Sequence, residues 1–300
     1  MSTPSLRAGL VRVAPPATSA NLGPGFDSLG LALGLHDEVE VEVVDGGLTV
    51  EVTGEGADDL PRGEDHLLVR ALRLGFEALG GQPPGLRLSC VNRIPHARGL
   101  GSSSAAIVAG LVAARALLAG DVLDDQAVLD LATSLEGHPD NVAACLYGGL
   151  TIAWTEDGVA RAVRRDPASG VRPVVFVPEH RALTATARKL LPDQVPHADA
   201  AANAGRAALL VHAITADPAL LLPATRDWLH QEYRSPAMPA SAELVRALRA
   251  AGVPALISGA GPTVLAFDLG TGAVPAAVED FVVRPVEVDS QGAVATVVRR

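Results

Sequence analysis

The sequence predicts an α+β protein of two lobes with its working site in the cleft between them. Three observations point there. Strand-like runs, Asp37 to Val44 above all, are interleaved with longer Ala- and Leu-rich runs of helical spacing. Three hundred residues are enough for one large or two modest domains, and the turn Glu156-Asp157-Gly158 offers a boundary, giving lobes of residues 1–157 and 158–300. Between the strand-like Leu86 to Val91 and the helix-like Ser102 to Leu118 lies Pro95 to Ala106, PHARGLGSSSAA, a turn suited to holding a ligand.

Composition narrows the function. Apolar residues make up 48% and charged residues 19%, which describes a globular chain with ample core. Aromatic residues are only 3%, so that core must be built from Ala, Val and Leu. A formal charge of −10 argues against a nucleic-acid or anionic-membrane surface. It also requires any polyanionic ligand to be met locally, by backbone N–H groups, a cation and chosen arginines. Cys90 and Cys145 lie in apolar runs and read as free buried thiols. No signal peptide opens the chain, and no unbroken apolar run reaches about 18 residues, so a cytoplasmic location and no membrane partner are expected.

In order, residues 1–9 read as frayed and Leu10 to Ala14 as a first strand. Pro15 and Pro16 forbid helix, and Thr18 to Asp27, TSANLGPGFD, makes a tight loop on two glycines and a proline. Asp37 to Val44 alternates Glu and Val, a half-buried strand with a solvated Glu face. Leu48 to Val52 is expected to pair with it as a hairpin through Asp45-Gly46-Gly47. Asp65 to Leu79 has helical spacing and ends at Gly80-Gly81.

In the turn Pro95 to Ala106, Gly99 and Gly101 permit positive φ and close approach of a ligand. Ser102, Ser103 and Ser104 suit a helix start, whose free N–H groups and dipole favour an anion. Neither standard phosphate loop fits. A Walker loop needs a Lys, and the only one is Lys189; a dinucleotide loop needs Gly or Ala where Ser104 stands.

The helix Asp125 to Leu135 runs into Glu136-Gly137-His138-Pro139-Asp140-Asn141. One His and two acids are thin for zinc, whereas Mg²⁺ needs only one or two carboxylates plus phosphate oxygens. Beyond Gly148-Gly149 come strands at Leu150 to Trp154, Val159 to Val163 and Arg172 to Val177. A short helix, Thr184 to Leu191, carries Arg188, and a long one spans His197 to Ala216. The segment Asp227 to Arg234 follows. Ile257 to Thr263 is a Gly-rich turn between apolar strands; Ala273 to Phe281 reads as a last helix and Val286 to Val298 as closing strands.

PHARGLGSSSAA resembles the phosphate loop of the GHMP kinases, Pro-x-x-x-Gly-Leu-Gly-Ser-Ser-x-(Ala/Ser). Ala14 to Leu33, APPATSANLGPGFDSLGLAL, and Ile257 to Phe267, ISGAGPTVLAF, resemble two further motifs of that superfamily in the right order. Within it, SANLGPGFDSLG and Glu136 to Gly149, EGHPDNVAACLYGG, are most similar to the homoserine kinase branch. The resemblance implies a first lobe like ribosomal protein S5 domain 2, known for a left-handed βαβ unit, and a ferredoxin-like second lobe. It implies ATP held by Pro95, Arg98, Gly99, Leu100, Gly101, Ser102, Ser103 and Ser104, with Mg²⁺ on Ser103 and Glu136. It implies an L-homoserine pocket from Asn21, Asp27, His138, Asp140, Arg188, Arg234 and Gly261.

Two arginines would serve different ends, Arg188 toward substrate and phosphate, and Arg234 toward the substrate carboxylate. His66 stands where relatives carry an Asn that helps hold adenine. His230 to Arg234, HQEYR, departs from the usual HxPYR. Asn141 stands where mevalonate-kinase-like relatives carry Asp. An amide cannot accept the hydroxyl proton, so direct attack without a strong base is implied, with Asp140 the other candidate base. The expected product is O-phospho-L-homoserine, a step toward threonine. Two other readings stay open: a GHMP kinase for a mevalonate-type alcohol, and a nucleotide binder without catalysis. Relatives are often homodimers, although no interface is legible in the chain.

Overall fold

The computed structural model describes residues 9–117, 123–180 and 187–298. The first half runs β1 (Leu10–Ala14), β2 (Pro16–Ala20), β3 (Leu29–His36), β4 (Glu38–Val44), β5 (Gly47–Gly54), α1 (Leu67–Ala78), β6 (Gly85–Asn92), α2 (Ser102–Leu117), α3 (Asp125–Glu136) and α4 (Pro139–Tyr147). The second runs β7 (Leu150–Glu156), β8 (Val159–Arg165), β9 (Pro173–Pro178), α5 (His197–Thr215), α6 (Leu221–Ala224), α7 (Gln231–Arg234), α8 (Pro239–Ala250), β10 (Ala255–Ile257), β11 (Val264–Phe267), β12 (Phe281–Pro285) and β13 (Val294–Val298). Three sheets result, ordered β13-β1-β4-β6-β5, β2-β3-β7-β8 and β10-β11-β9-β12. The α+β class is as the sequence predicts.

The centre of the first half is α2. Its residues are apolar almost all round, and such a helix is stable only when enclosed. Ile107, Val108, Leu111, Val112 and Leu117 are all buried, each contributing roughly 1.5–3 kcal/mol. Aliphatic side chains supply most of this core, Phe76 being an exception. Burying the body of α2 leaves its polar N-terminus, the three serines, as the end that faces the site. Cys90 and Cys145 are free and buried, as expected. Burial pushes the Cys90 thiol up to about 12, which keeps it unreactive.

Two expectations fail. Leu48 to Val52 does not form a hairpin with Asp37 to Val44. β6 inserts between them, antiparallel to β4 (Val39 opposite Cys90) and parallel to β5 (Leu48 opposite Leu86). A strand with partners on both edges satisfies more backbone than a two-stranded ribbon could. The Gly46-Gly47 corner therefore arches over the start of β6, so close that a side chain on Gly85 would collide with Gly46. Ala273 to Phe281 is not a helix either. Val274 precedes Pro275 and is thereby biased out of the α region, and the segment leads instead into β12, which pairs with β9.

Pairing also crosses the expected division at residue 157 in two places. β8 is the hairpin partner of β7, and β13 returns to lie against β1. The closing region is strand only over Phe281–Pro285 and Val294–Val298. Residues 1–8 and the first three residues of the expected helix Thr184 to Leu191 lie outside the described residues; of the rest, only 187 and 188 are helical and the chain turns by 189. Arg188 is within them.

Candidate active site

A cavity of about 260 Å³ opens where α2 and α4 both begin. Among its lining residues are Asn21, Asp27, Gly99, Gly101, Ser102, Ser103, Glu136, His138, Asp140, Asn141, Arg188 and Arg234, gathered from five separated stretches of sequence. Two helix N-termini facing one cavity give it a positive end in a protein of net negative charge.

The turn from Pro95 to Ala106 is built by its glycines. Gly99 and Gly101 have φ of +77° and +70°. A side chain on Gly99 would collide with the carbonyls of Ser258 and Gly261, and one on Gly101 with Thr18 Oγ1. The Gly-rich turn at Ser258–Thr263 therefore packs directly on the loop. Ser258 Oγ donates to Gly99 O at 2.6 Å and Thr263 N to Arg98 O at 3.1 Å. The amides of Ser102, Ser103 and Ser104 precede the first helical bond, Ala105 N to Gly101 O at 2.9 Å, so they are the donors an anion would find.

Other loop residues are framework in this arrangement. Leu100 is core, and its carbonyl accepts from Thr18 N at 3.0 Å. Pro95 is buried. The Arg98 guanidinium donates to Pro178 O at 2.9 Å and Glu179 O at 2.7 Å, tying the loop to the end of β9. Gly261, expected among substrate contacts, packs on Met238 outside the cavity lining, and its neighbours Gly259 and Ala260 line it.

Glu136 ends α3, and Gly137 in the left-handed region turns the chain away. Its Oε1 accepts from Ser103 Oγ at 2.7 Å and Ser104 Oγ at 3.0 Å, leaving Oε2 outside those bonds. Among the described residues no group of three or more His, Cys, Asp or Glu side chains could hold a metal by themselves. One carboxylate beside a hydroxyl nonetheless fits Mg²⁺, which completes its shell with phosphate oxygens and water.

His138 caps α4, and its Nδ1 lies 2.6 Å from Asp140 Oδ1. That oxygen also accepts from Asn141 N at 2.8 Å. Asp140 is only 1% exposed, so the carboxylate expected as an alternative base is already committed to two donors. The bond to Asp140 raises the His138 pKa, against the opposing effect of burial. Asn141 Oδ1 accepts from Thr18 Oγ1 at 2.7 Å. The amide nitrogen is thus the part of Asn141 left for the cavity. Thr18 escaped the sequence reading because a buried strand Thr carries no local mark of its use.

Asn21, Leu22 and Asp27 hold φ of +67°, +48° and +52°, a cluster of left-handed non-glycine residues of the kind found at functional sites. Asn21 Nδ2 donates to Gly259 O and its Oδ1 accepts from Asp27 N, each at 2.9 Å. Asn21 thus shapes the loop that presents Asp27. Asp27 itself receives a two-pronged bond from Arg188 at 2.7 and 3.1 Å.

Arg234 is 2% exposed, and no carboxylate lies within ion-pair distance of it among the described residues. Its Nε has no partner, and Nη1 meets only His230 Nδ1 at 3.3 Å and Gly259 O at 3.5 Å. Burial, and then the charge of Arg188, lower its pKa. His230 is fully buried, stacks on Phe26 at 5.1 Å and sits with Nε2 2.8 Å from Gly23 O. Burial keeps it neutral, so Nε2–H donates to Gly23 and Nδ1 is free to accept from Arg234. Phe26 also lies under both Arg234, at 5.3 Å, and Arg188, at 5.7 Å. This stack joins residues 26, 188, 230 and 234, and no local sequence signal gives it.

A second cavity, of about 220 Å³, adjoins the first. Ser102 and Ser103 line both, so the N-terminus of α2 is the wall between them. The second is mainly apolar, lined by Pro15, Val39, Leu60, Leu68 and His66 among others.

Comparison with known proteins agrees with this geometry. The family model described as GHMP kinases N terminal domain matches residues 66–149, and that described as GHMP kinases C terminal matches residues 200–281. The chain is 62% identical to a homoserine kinase of Streptomyces coelicolor over 98% of this chain and 96% of the relative. It is 66% identical to one of Streptomyces avermitilis over 89% and 88% respectively. The crystal structure of homoserine kinase from Cytophaga hutchinsonii superposes with a TM-score of 0.85 at 26% identity, covering 99% of this chain and 100% of that one.

Proposed function

The chain belongs to the GHMP kinases, in their homoserine kinase branch, and from that premise we propose that it moves the γ-phosphoryl group of ATP to the side-chain hydroxyl of L-homoserine by direct attack. The products are ADP and O-phospho-L-homoserine, on the route to threonine, and the cytoplasm supplies the ATP. One observation carries the substrate assignment. Arg234 is a buried guanidinium without an acid partner among the described residues, a costly state that a ligand carboxylate would relieve. A zwitterionic amino alcohol also supplies an ammonium for the acidic side of the cavity, where Asp27 lies. A mevalonate-type alcohol has no group for that side.

The triphosphate lies along the Ser102–Ser104 amides, and the base occupies the neighbouring cavity beside His66. Glu136 and Ser103 would hold Mg²⁺, which when bound neutralises part of the triphosphate charge. Asn141 Nδ2 orients the attacking hydroxyl. The new O–P bond forms as the bond to the β-phosphate bridging oxygen breaks, and the hydroxyl proton passes to a phosphoryl oxygen. Such a loose transition state needs positioning and charge stabilisation more than a strong base.

The direct test is ADP release with ATP, Mg²⁺ and either L-homoserine or mevalonate. Release with L-homoserine supports the proposal; release with mevalonate alone defeats it. Asn141→Ala is expected to lower kcat by about tenfold, the cost of one positioning hydrogen bond, with measurable turnover remaining. Complete inactivity of a folded variant would contradict a role limited to positioning and count against direct attack.

His138 sets the pH dependence. Its imidazolium, held by Asp140, persists above the ordinary histidine value and can donate from Nε2 to a substrate anion. The affinity it provides is present at low pH and is lost as pH rises through the raised pKa. The KM for L-homoserine should therefore climb in alkaline buffer in the native enzyme and not in His138→Gln. Parallel profiles for the two proteins would remove this role.

A further inference from the structure

We propose that the second cavity accepts either purine, because His66 can present a donor or an acceptor to the base, so that the enzyme uses GTP as well as ATP. The inference rests on the nucleotide reading given above and goes beyond it in naming what the base site discriminates.

His66 is the residue before α1, 5% exposed, and neither ring nitrogen has a hydrogen-bond partner. A buried imidazole with both nitrogens idle is costly, and the cavity it lines is where a ligand would satisfy them. Burial lowers its pKa, and the charges of Arg62 and His96 push the same way, so the ring is neutral. A neutral imidazole has one donor and one acceptor nitrogen, and the tautomer is ordinarily fixed by whatever the other nitrogen bonds. Nothing fixes it here. His230, by contrast, is committed to one tautomer by Gly23 O.

The edges of the two purines differ in sign. Adenine offers an exocyclic amino donor where guanine offers a carbonyl acceptor. A site with a fixed backbone donor or acceptor would accept one and reject the other. Val39, Leu60, Leu68, Ala105 and Ala106 are apolar and read shape alone; of the polar lining, Asp37 Oδ1 accepts from Arg93 N and Ile94 N, and Asn92 Nδ2 is held by Glu55 O and His96 Nε2. A His66 ring that exchanges tautomers meets either edge with one hydrogen bond.

The test is calorimetric binding of ADP, GDP and inorganic pyrophosphate to the wild-type protein and to His66→Ala, with His66→Asn as a second variant should the first fail to fold. ADP and GDP are expected to bind within about tenfold of each other. In His66→Ala both should weaken by a similar factor, about threefold to tenfold for one neutral hydrogen bond, while pyrophosphate binding stays unchanged. His66→Asn should keep most of the affinity for both, since an amide also offers a donor and an acceptor. Discrimination between ADP and GDP beyond tenfold, or His66→Ala binding both as tightly as wild type, overturns the proposal. Loss of the underlying nucleotide reading would look different: pyrophosphate would fail to bind the wild-type protein at all.

Discussion

An Arg234→Leu enzyme is expected to need about ten to a hundred times more L-homoserine for half-saturation, with kcat changed far less. The estimate follows from a charge-assisted hydrogen bond worth roughly 1.5–3 kcal/mol. The variant separates binding from folding. Arg234 is fully enclosed and lacks an acidic partner within ion-pair distance among the described residues, so in the free protein its charge is a burden. Leucine in its place should leave the melting temperature unchanged or raise it. An unaltered KM, measured on a protein that melts normally, would remove the carboxylate role and with it the reason for preferring an amino acid substrate.

Gly101→Ala is expected to lower kcat/KM by at least about a hundredfold. Gly101 holds φ of +70°, a conformation that costs an alanine roughly 1–2 kcal/mol. The added methyl group would also overlap Thr18 Oγ1. Thr18 must then move, and it is the donor that fixes the Asn141 amide at 2.7 Å. The first turn of α2 would tilt at the same time, and misaimed amide donors at a charge-developing centre cost about 10²–10³ in rate. Thr18→Val isolates half of this effect, since it frees Asn141 without touching the loop backbone. A Gly101→Ala protein with near-normal kinetics would mean that the phosphates are held elsewhere.

Much of the site was legible because its parts are short and contiguous. Gly99 to Ser104 is a turn, a cap and a helix start in six residues, and each requirement marks the local sequence. Glu136 to Asn141 is similar, a helix end and a helix start with the polar groups between them. What stayed hidden is what depends on distant pairs. Thr18 meets Asn141 across 123 positions, and Phe26 stacks on His230 across 204, from 26 to 230. Arg98 matched a loop position by type, yet its guanidinium is spent on the carbonyls at Pro178 and Glu179.

The fold failures have the same origin. The corner Asp45-Gly46-Gly47 satisfies every local rule for a hairpin, but β6, formed from residues 40 positions later, takes both neighbours. Nothing near β13 announces that it closes the sheet against β1. For Ala273 to Phe281 the local signal was available, since Val274 stands before Pro275 and is biased out of the α region.

The central claim is that backbone amides at the start of α2 hold the nucleotide phosphates while Arg234 and the acidic wall hold an amino alcohol beside them. A crystal structure with a non-hydrolysable ATP analogue and L-homoserine tests it most directly. The β- and γ-phosphates should lie over the Ser102–Ser104 amides, with the homoserine carboxylate on Arg234 and its hydroxyl facing the γ-phosphorus. Phosphates bound away from that turn, or a homoserine carboxylate that leaves Arg234 unpaired, would contradict it.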